Sequence, residues 1–213
     1  VTTGNSISTS PVTTEPWNLS ADRKFQLAVL SFRTHDVAVM EMATKKQRTI
    51  AGRHAAPIIF QGFSDGNRSV VCVSKDQTAS VWNMAGQRLH VLQGHEHEIV
   101  AATLSPDNRQ LVTFDATGRG IQWDVLSGKQ VREFEGHAGA VQTAQFSASG
   151  RQLLTAGVDK TARLWDLIGR TESEFRFESS VLSADLSADE QQLLIIEGSD
   201  LTNLHNLAGA AQQ

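Results

Sequence analysis

Three tryptophans are spaced almost evenly along the middle of the chain, and this spacing limits the folds that the chain can adopt. Trp82 and Trp123 are 41 residues apart, and Trp165 follows Trp123 by 42 residues. Each tryptophan lies near the end of a short apolar run, in TASVWNM, GIQWDV and ARLWDL. A fixed period of this length predicts a fold built from one supersecondary unit that recurs along the chain.

A second marker, the dipeptide Gly-His, keeps the same period. It occurs at residues 94–95 and again at residues 136–137. Between the markers, short apolar runs flank polar turns, as in IVAATLSPDNRQLVTF and AVQTAQFSASGRQLLTA. Such pairs of runs predict β-hairpins, and no segment shows the longer periodicity of an amphipathic helix. The sequence therefore predicts an all-β protein.

Weaker copies of the unit extend the repeat in both directions. In the upstream copy, Met40 occupies the position of the tryptophan, and in the downstream copy His205 occupies it. After a Ser/Thr-rich lead at residues 1–15, we predict a single run of repeats over residues 16–213. It consists of five four-stranded units near residues 16–51, 52–93, 94–135, 136–176 and 177–213.

The period near 41 residues and the pairing of Gly-His with Trp-Asp resemble the WD-repeat family of β-propellers. The resemblance covers nearly the whole chain after about residue 16 and is strongest over residues 52–176. Since about seven blades are usual in the family, five visible blades leave two arrangements. The chain either closes a five-bladed ring, with the lead at residues 1–15 supplying a missing outer strand, or forms part of a larger ring. We favour the larger ring, completed by another chain or by further blades.

In this family each blade holds a hydrogen-bonded set of a histidine, a hydroxyl residue, an aspartate and the tryptophan. The resemblance assigns these roles to His137, Thr155, Asp159 and Trp165 in the best copy. The physical reason is that a narrow blade between two neighbours buries polar groups, and each buried donor or acceptor needs a partner. Asp166 then ends the strand at the next turn.

The copy that contains Trp82 keeps two members of this set, His54 and Asp76. Cys72 occupies the position of the hydroxyl residue. We therefore expect this network to be weaker than that of the best copy.

The copy that contains Trp123 keeps His95 and Thr113. Thr117 stands where the aspartate belongs, and Asp115 comes two residues early. In the two outermost copies the set is lost. These departures predict local differences in rigidity, while the apolar alternation of the strands persists.

The histidine, hydroxyl and aspartate of one unit also resemble a catalytic triad, but the same residue types recur in several units and nothing nearby supplies an oxyanion hole. We predict no catalytic residue and no enzymatic activity. His95 and His97 share a side of an extended segment, yet no third ligand lies close in sequence. We predict neither a metal site nor a cofactor.

Charge and composition narrow the classes of partner. With 19 Lys and Arg against 23 Asp and Glu, the formal net charge is -4, and no basic block is available to neutralise a run of phosphates. No apolar run approaches the roughly 18 residues of a membrane helix. A single cysteine, Cys72, excludes an internal disulfide framework. We expect a cytoplasmic protein that binds neither nucleic acid nor membrane.

The resemblance implies a rigid platform that docks a protein or peptide without catalysis. The expected contact surface is the face that carries the turns before the first strand and between the second and third strands of each unit. Aromatic residues and arginine are enriched at binding hot spots, which favours Phe114 and Arg119. The alternative is a regulatory or substrate-recruiting propeller within a larger multidomain enzyme such as a kinase, protease or nuclease. The complete set of predicted contact residues is Lys75, His97, Glu98, Phe114, Arg119, Val158 and Lys160.

Overall fold

The computed structural model describes residues 20, 22–31, 36–51, 54–169, 172–198 and 202–207, and none of them lies in an α-helix. These residues form five antiparallel sheets, numbered first to fifth in chain order. The first sheet contains β1 (Phe25–Ser31), β2 (Asp36–Glu41) and β3 (Gln47–Ala51). The second contains β4 (Ile58–Ser64), β5 (Ser69–Ser74), β6 (Thr78–Asn83) and β7 (Arg88–Gln93).

The third sheet contains β8 (Ile99–Leu104), β9 (Gln110–Asp115), β10 (Gly120–Asp124) and β11 (Lys129–Phe134). The fourth contains β12 (Val141–Phe146), β13 (Gln152–Gly157), β14 (Thr161–Asp166) and β15 (Glu172–Arg176). The fifth contains β16 (Val181–Leu186), β17 (Gln192–Glu197) and β18 (Thr202–Asn206). In every sheet each strand pairs with the next one along the chain.

Only the three middle sheets show the predicted four strands; the first and fifth sheets show three among the described residues. Met40 lies on β2, so β1 to β3 correspond to the second, third and fourth strands of a complete sheet. By the same comparison, β16 to β18 correspond to the first, second and third strands. The predicted lead at residues 1–15, and the closing strand assigned to it, lie outside the described residues.

A repeated serine turn joins the first two strands of a sheet. In the third sheet, Ser105 Oγ donates a hydrogen bond to Asp107 and accepts one from the backbone N–H of Gln110, at 3.0 Å. Ser187 and Asp189 form the same turn in the fifth sheet. Such side chains satisfy the backbone groups of a tight turn, which explains why polar triplets separate the apolar runs.

The hydrophobic core is divided into four layers, one between each pair of neighbouring sheets. Each tryptophan packs toward the sheet that precedes its own: Trp82 toward the first, Trp123 toward the second and Trp165 toward the third. The opposite side of each middle sheet contacts the following sheet. Among the described residues the sheets do not close into a ring.

Hydrogen bonds near the rim tie the outer strand of one sheet to the next sheet. His90 on β7 lies with Nε2 2.9 Å from the backbone oxygen of Leu126, in the turn after β10. Arg132 on β11 donates to the backbone oxygen of Asp166, at the end of β14, over 3.1 Å. Neighbouring sheets are therefore joined both by apolar packing and by side-chain contacts to main-chain carbonyls.

Candidate partner face and the networks beneath it

The fourth sheet brings together the four residues of the best-matching copy. His137 precedes β12, and its Nδ1 lies 2.8 Å from Asp159 Oδ2, in the turn after β13. His137 Nε2 lies 2.8 Å from the hydroxyl of Thr155, which also accepts the indole N–H of Trp165 over 2.9 Å. A neutral imidazole with its proton on Nδ1 satisfies this whole chain of donors and acceptors.

The third sheet has a complete network although the aspartate is displaced along the sequence. His95 Nδ1 lies 3.0 Å from Asp115 Oδ2, and His95 Nε2 lies 2.8 Å from Thr113 Oγ1. The indole of Trp123 donates to Thr113 over 2.9 Å. Asp115, which comes two residues early in the sequence, reaches this nitrogen from the end of β9. Thr117, which stands in the usual position, donates to the second oxygen of Asp115 over 2.6 Å.

The second sheet also has a complete network, but its hydroxyl comes from another strand. His54 lies 2.9 Å from Asp76 and 2.7 Å from the hydroxyl of Ser80, which accepts the indole N–H of Trp82 over 2.8 Å. Ser80 on β6 is the direct cross-strand partner of Cys72 on β5. Ser80 thus supplies the hydroxyl that Cys72 lacks, and the expectation of a weaker network in this copy stays a prediction.

Cys72 itself belongs to the core. Its side chain is fully buried, and burial raises the pKa of the thiol to about 12. A thiol with this pKa stays protonated and unreactive at neutral pH. The sequence signal for the true hydroxyl was the position of Ser80 two residues before Trp82, which places both on one side of the strand.

Burial and hydrogen bonding keep His95 and His137 neutral and Asp115 and Asp159 charged. Burial lowers the pKa of His95 and His137 below the ordinary value of 6.5, although Asp115 and Asp159 oppose this effect. Burial alone would raise the pKa of Asp115, but hydrogen bonds from Thr117 and His95 outweigh it and hold the pKa below 3.8. Both ring nitrogens of His95 and His137 are engaged within buried networks, where a substrate has no access to them.

The outermost sheets do not repeat this network. Phe177 stands four residues before β16, where His137 stands four residues before β12. Glu197, at the end of β17, is 3% exposed and accepts hydrogen bonds from the backbone N–H and the hydroxyl of Ser179, at 3.1 and 3.2 Å. Met40 is half-buried on β2, and the side chain of His205 lies outside the described part of the chain.

Five of the predicted contact residues lie in exposed turns on one face, which we call the partner face: Lys75, His97, Glu98, Val158 and Lys160. Lys75 and Glu98 form an ion pair of 3.7 Å that links the second and third sheets. Val158 is 40% exposed. The networks hold the turns that carry these side chains, because their aspartates lie in or beside the turns between the second and third strands.

The two residues favoured as hot spots both have structural roles. Phe114 is fully buried and packs against Phe134, with ring centroids 5.9 Å apart, so the prediction that it contacts a partner is wrong. Its ring covers Gly120 on the adjacent strand and leaves no space for a Cβ there. The guanidinium of Arg119 donates to Glu133 over 2.8 Å and to the backbone oxygen of Gly94 over 2.7 Å. Arg119 therefore links strands of the third sheet.

Among the described residues, no group of three or more His, Cys, Asp or Glu side chains is placed to hold a metal ion. His97 is exposed, whereas the ring of His95 is buried in its network. No helix within the described ranges is long and apolar enough to cross a membrane.

Comparison with known protein families matches the WD domain, G-beta repeat (WD40) model to residues 86–124 and 128–166. The chain contains WD40 repeats. Each matched WD40 repeat begins just before the outer strand of one sheet and ends at the third strand of the next. The sequence repeat is therefore offset by one strand from the sheets, so that each repeat joins two of them.

Two characterised relatives match parts of the chain. A WD repeat-containing protein 26 homolog of Arabidopsis thaliana is 35% identical over 79 residues, which are 35% of this chain and 13% of the relative. Transducin beta-like protein 2 of Mus musculus is 31% identical over 77 residues, which are 36% of this chain and 17% of the relative. The matched segments thus span less than a fifth of either relative. WD40-repeat proteins generally act as protein-interaction scaffolds and are typically not catalytic.

Proposed function

We propose that this chain is a non-catalytic platform that docks a protein or peptide on the partner face. One observation carries the proposal: the three networks fix the turns from below, while the side chains above them stay exposed. A surface that is already ordered loses little conformational entropy when a partner binds. The buried networks therefore support binding without taking part in the contact.

The same networks argue against catalysis by the residues of triad type. In the fourth sheet, Thr155 is engaged by both His137 and Trp165, and it is fully buried. A nucleophile needs access to a substrate as well as a base. The buried Thr155 has no such access, and the third sheet repeats the arrangement with Thr113.

The composition of the partner face suggests the chemistry of the partner. Val158 offers an exposed aliphatic side chain, and the exposed Lys160 lies two residues further on. A peptide with an apolar residue next to a carboxylate matches this pair. The face combines both signs of charge, so we propose a protein partner and neither nucleic acid nor membrane.

The test is quantitative affinity capture from the native lysate with three forms of the chain. In the first variant, Val158→Glu is combined with Lys160→Glu on the partner face. In the matched control, Leu126→Glu changes a 70% exposed residue in a turn at the opposite ends of the strands. We expect the wild type and the control to retain the same partner and the partner-face variant to lose it.

Two results would contradict the proposal. One is equal retention of all captured proteins by the partner-face variant. The other is a purified chain that retains no partner but turns over a small ester, phosphate or peptide substrate.

The alternative, that the chain is a regulatory portion of a larger multidomain enzyme, stays a prediction. The parent reading frame decides it. A cytoplasmic location belongs to the same proposal and rests on the single buried Cys72.

A further inference from the structure

The outer strands of the first two sheets, β3 and β7, carry a cluster of positive charge beside exposed aliphatic side chains. We call this cluster the rim patch. Residues 42–64 contain no Asp or Glu, although the chain as a whole is acidic. The rim patch consists of the exposed residues Lys45, Lys46 and Arg48, just before and on β3, and Arg88, Leu89 and Val91 on β7.

The cations of the rim patch have no acidic partners. In the part of the chain that the structure describes, none of the four forms an ion pair with a carboxylate. Glu41, the acidic residue that precedes them, accepts a hydrogen bond from Thr44 over 2.5 Å. The third sheet differs, because its Arg119 pairs with Glu133. Unpaired cations that lie close together attract a negatively charged partner.

Strand pairing directs side chains of both strands into the space between the first and second sheets. Arg48 is the cross-strand partner of Val39, which packs toward the second sheet, so Arg48 lies on that side of β3. Val91 on β7 is the cross-strand partner of Ser80, which contacts Trp82 on the side that faces the first sheet. A cation of β3 and an aliphatic side chain of β7 therefore line one surface.

Contacts on both sides hold β7 in place beside this surface. The turn before β7 lies against β3, since a Cβ at Gly86 would be 3.6 Å from the backbone oxygen of Ile50. The guanidinium of Arg88 lies 5.8 Å from the centre of the Trp82 ring. On the opposite side, His90 contacts a backbone oxygen of the third sheet. The strand is thus ordered before a partner arrives, which lowers the entropy cost of binding.

The outer edge of β7 is open to an additional strand. Among the described residues β7 pairs only with β6, so one row of its backbone N–H and C=O groups has no strand partner. Residues 89–93 contain no Asp, Glu, Lys or Arg. Charges on an edge strand oppose pairing with another chain, so β7 is better suited to such pairing than the outer strands of the third and fourth sheets. Those strands carry Lys129, Arg132 and Glu133 on β11, and Glu172, Glu174 and Arg176 on β15.

We propose that the rim patch binds an extended acidic segment of another protein, which pairs with β7 as an additional strand. On the side that faces the patch, the segment places an aliphatic residue over Leu89 and Val91, which are 49% and 39% exposed. Carboxylates two residues away on the same side reach the cations. Because β7 has six residues and spans roughly 20 Å, the contact is small and depends on ionic attraction that salt weakens.

The chemistry of the rim patch favours a different polypeptide over the other occupants. In a second copy of this chain, β3 and β11 begin with basic residues, and the carboxylates of Glu172 and Glu174 on β15 already pair with Arg163. Nucleic acid offers phosphates for the cations but has no main chain that pairs with β7. The rim patch shares no residue with the partner face, so this site does not depend on the proposed function.

The test is the fluorescence anisotropy of labelled peptides mixed with the purified chain at low and high salt. The probe repeats the unit Glu-Thr-Val-Thr, which places glutamate and valine on one side of a strand and threonine on the other. We expect saturable binding that weakens as salt is added. A peptide with lysine in place of glutamate, and one with proline in place of threonine, should not bind. Proline lacks the main-chain donor that strand pairing requires.

Variants of the chain locate the contact. Lys46→Glu combined with Arg48→Glu turns two attractions into repulsions and should raise the dissociation constant of the probe roughly tenfold or more. Val91→Glu replaces an aliphatic contact on the edge with a repelling charge and should weaken binding in the same direction. Circular dichroism and the melting temperature of each variant separate loss of binding from loss of folding.

Each variant has a matched control elsewhere in the molecule. Lys129→Glu combined with Arg151→Glu makes the same change in net charge at exposed residues of the third and fourth sheets. Val131→Glu alters a 54% exposed valine on β11. Both controls should leave the dissociation constant within about a factor of three of the wild-type value, because salt screens distant charges. The partner-face variant that combines Val158→Glu with Lys160→Glu should also bind the probe normally.

Four results would overturn the proposal. One is the absence of saturable binding of the probe at low salt, and another is equal binding of the proline peptide, which would exclude strand pairing. Tighter binding of single-stranded DNA than of the probe would make the patch a phosphate site. Equal losses in the matched controls, or a loss in the partner-face variant alone, would place the peptide elsewhere.

Discussion

The fourth and fifth sheets have the same strand pattern but different means of stabilisation. The fourth sheet has a complete network of His137, Thr155, Asp159 and Trp165 and is covered on both sides. The fifth sheet has Phe177 in the position of the histidine, and Leu194, Ile196 and Leu204 on one of its sides are exposed. The comparison teaches that apolar alternation is sufficient to form a sheet of this fold. The network is an addition that orders the turns.

The largest expected effect tests the difference in coverage. Leu154→Ala empties a fully buried site between two sheets, and such changes cost about 2–5 kcal/mol of unfolding free energy. Leu194→Ala at the same register position of the fifth sheet removes a 39% exposed side chain. It should cost less than about 1 kcal/mol. Chemical denaturation of both variants measures the two values, and equal losses would mean that Leu194 is covered in solution.

The second prediction tests the difference in networks. Thr155→Val keeps the volume but removes the hydroxyl that contacts His137 and Trp165. Leaving these buried groups without partners should cost about 1–3 kcal/mol. Ile195→Val, at the matching position of the fifth sheet, should cost about 1 kcal/mol through lost packing alone. Urea titrations of the two variants give the comparison, and a neutral Thr155→Val would show that the network contributes nothing to stability.

The third prediction extends the comparison to the second sheet, where the hydroxyl lies on β6 instead of β5. Ser80→Ala should cost about 1–3 kcal/mol, since it leaves His54 Nε2 and the indole of Trp82 without their hydroxyl. Adding Cys72→Thr to this variant returns a hydroxyl from the facing strand. The double variant should regain about 1 kcal/mol relative to Ser80→Ala. A double-mutant cycle checks this, and additive losses would show that the two positions are not interchangeable.

The smallest expected effect is on the pH dependence of stability. Burial lowers the pKa of His95 and His137 in the folded chain, so below pH 6.5 the unfolded chain binds more protons. The free energy of unfolding should therefore fall as the pH is lowered from 6.5. The charges near His137 are Asp159, Arg163 and Glu172.

A matched control isolates the contribution of His137. His137→Phe reproduces the residue found at the matching position of the fifth sheet, and it should flatten the pH profile between pH 6.5 and 5 while lowering stability at all pH values. Thermal melts across this range provide the measurement. An unchanged slope in the variant would assign the pH dependence to other groups.

The sequence predicted the fold well because the repeat and the strand alternation are properties of single segments. The five sheets and the fourth-sheet network follow from the period of the tryptophans and from residue types at fixed offsets. What the sequence did not show depends on which residues face one another across strands. Ser80 takes the role expected of Cys72 because the two are in register, and Asp115 contacts His95 because the end of β9 lies beside the imidazole.

Burial on the two sides of a strand explains the error at Phe114. Phe114, near the end of β9, faces the core layer shared with the fourth sheet. The alternation of apolar and polar residues along β9 does not distinguish that side of the strand from a side that faces solvent. Arg119 has an acidic partner, Glu133, on a different strand. The burial of Phe114 and the contact between Arg119 and Glu133 both depend on which strands pair. A single sequence of short apolar runs does not determine this pairing.

The rim contacts made by His90 and Arg132 determine which residues near the rim can be substituted without loss of contact between sheets. In both contacts the acceptor is a main-chain oxygen, at Leu126 in one and at Asp166 in the other. Every amino acid supplies that oxygen, so a change of side chain at the accepting residue leaves the hydrogen bond between neighbouring sheets intact. The turn tips can therefore accumulate mutations and acquire new specificities over generations, while the donors on the outer strands remain under selection.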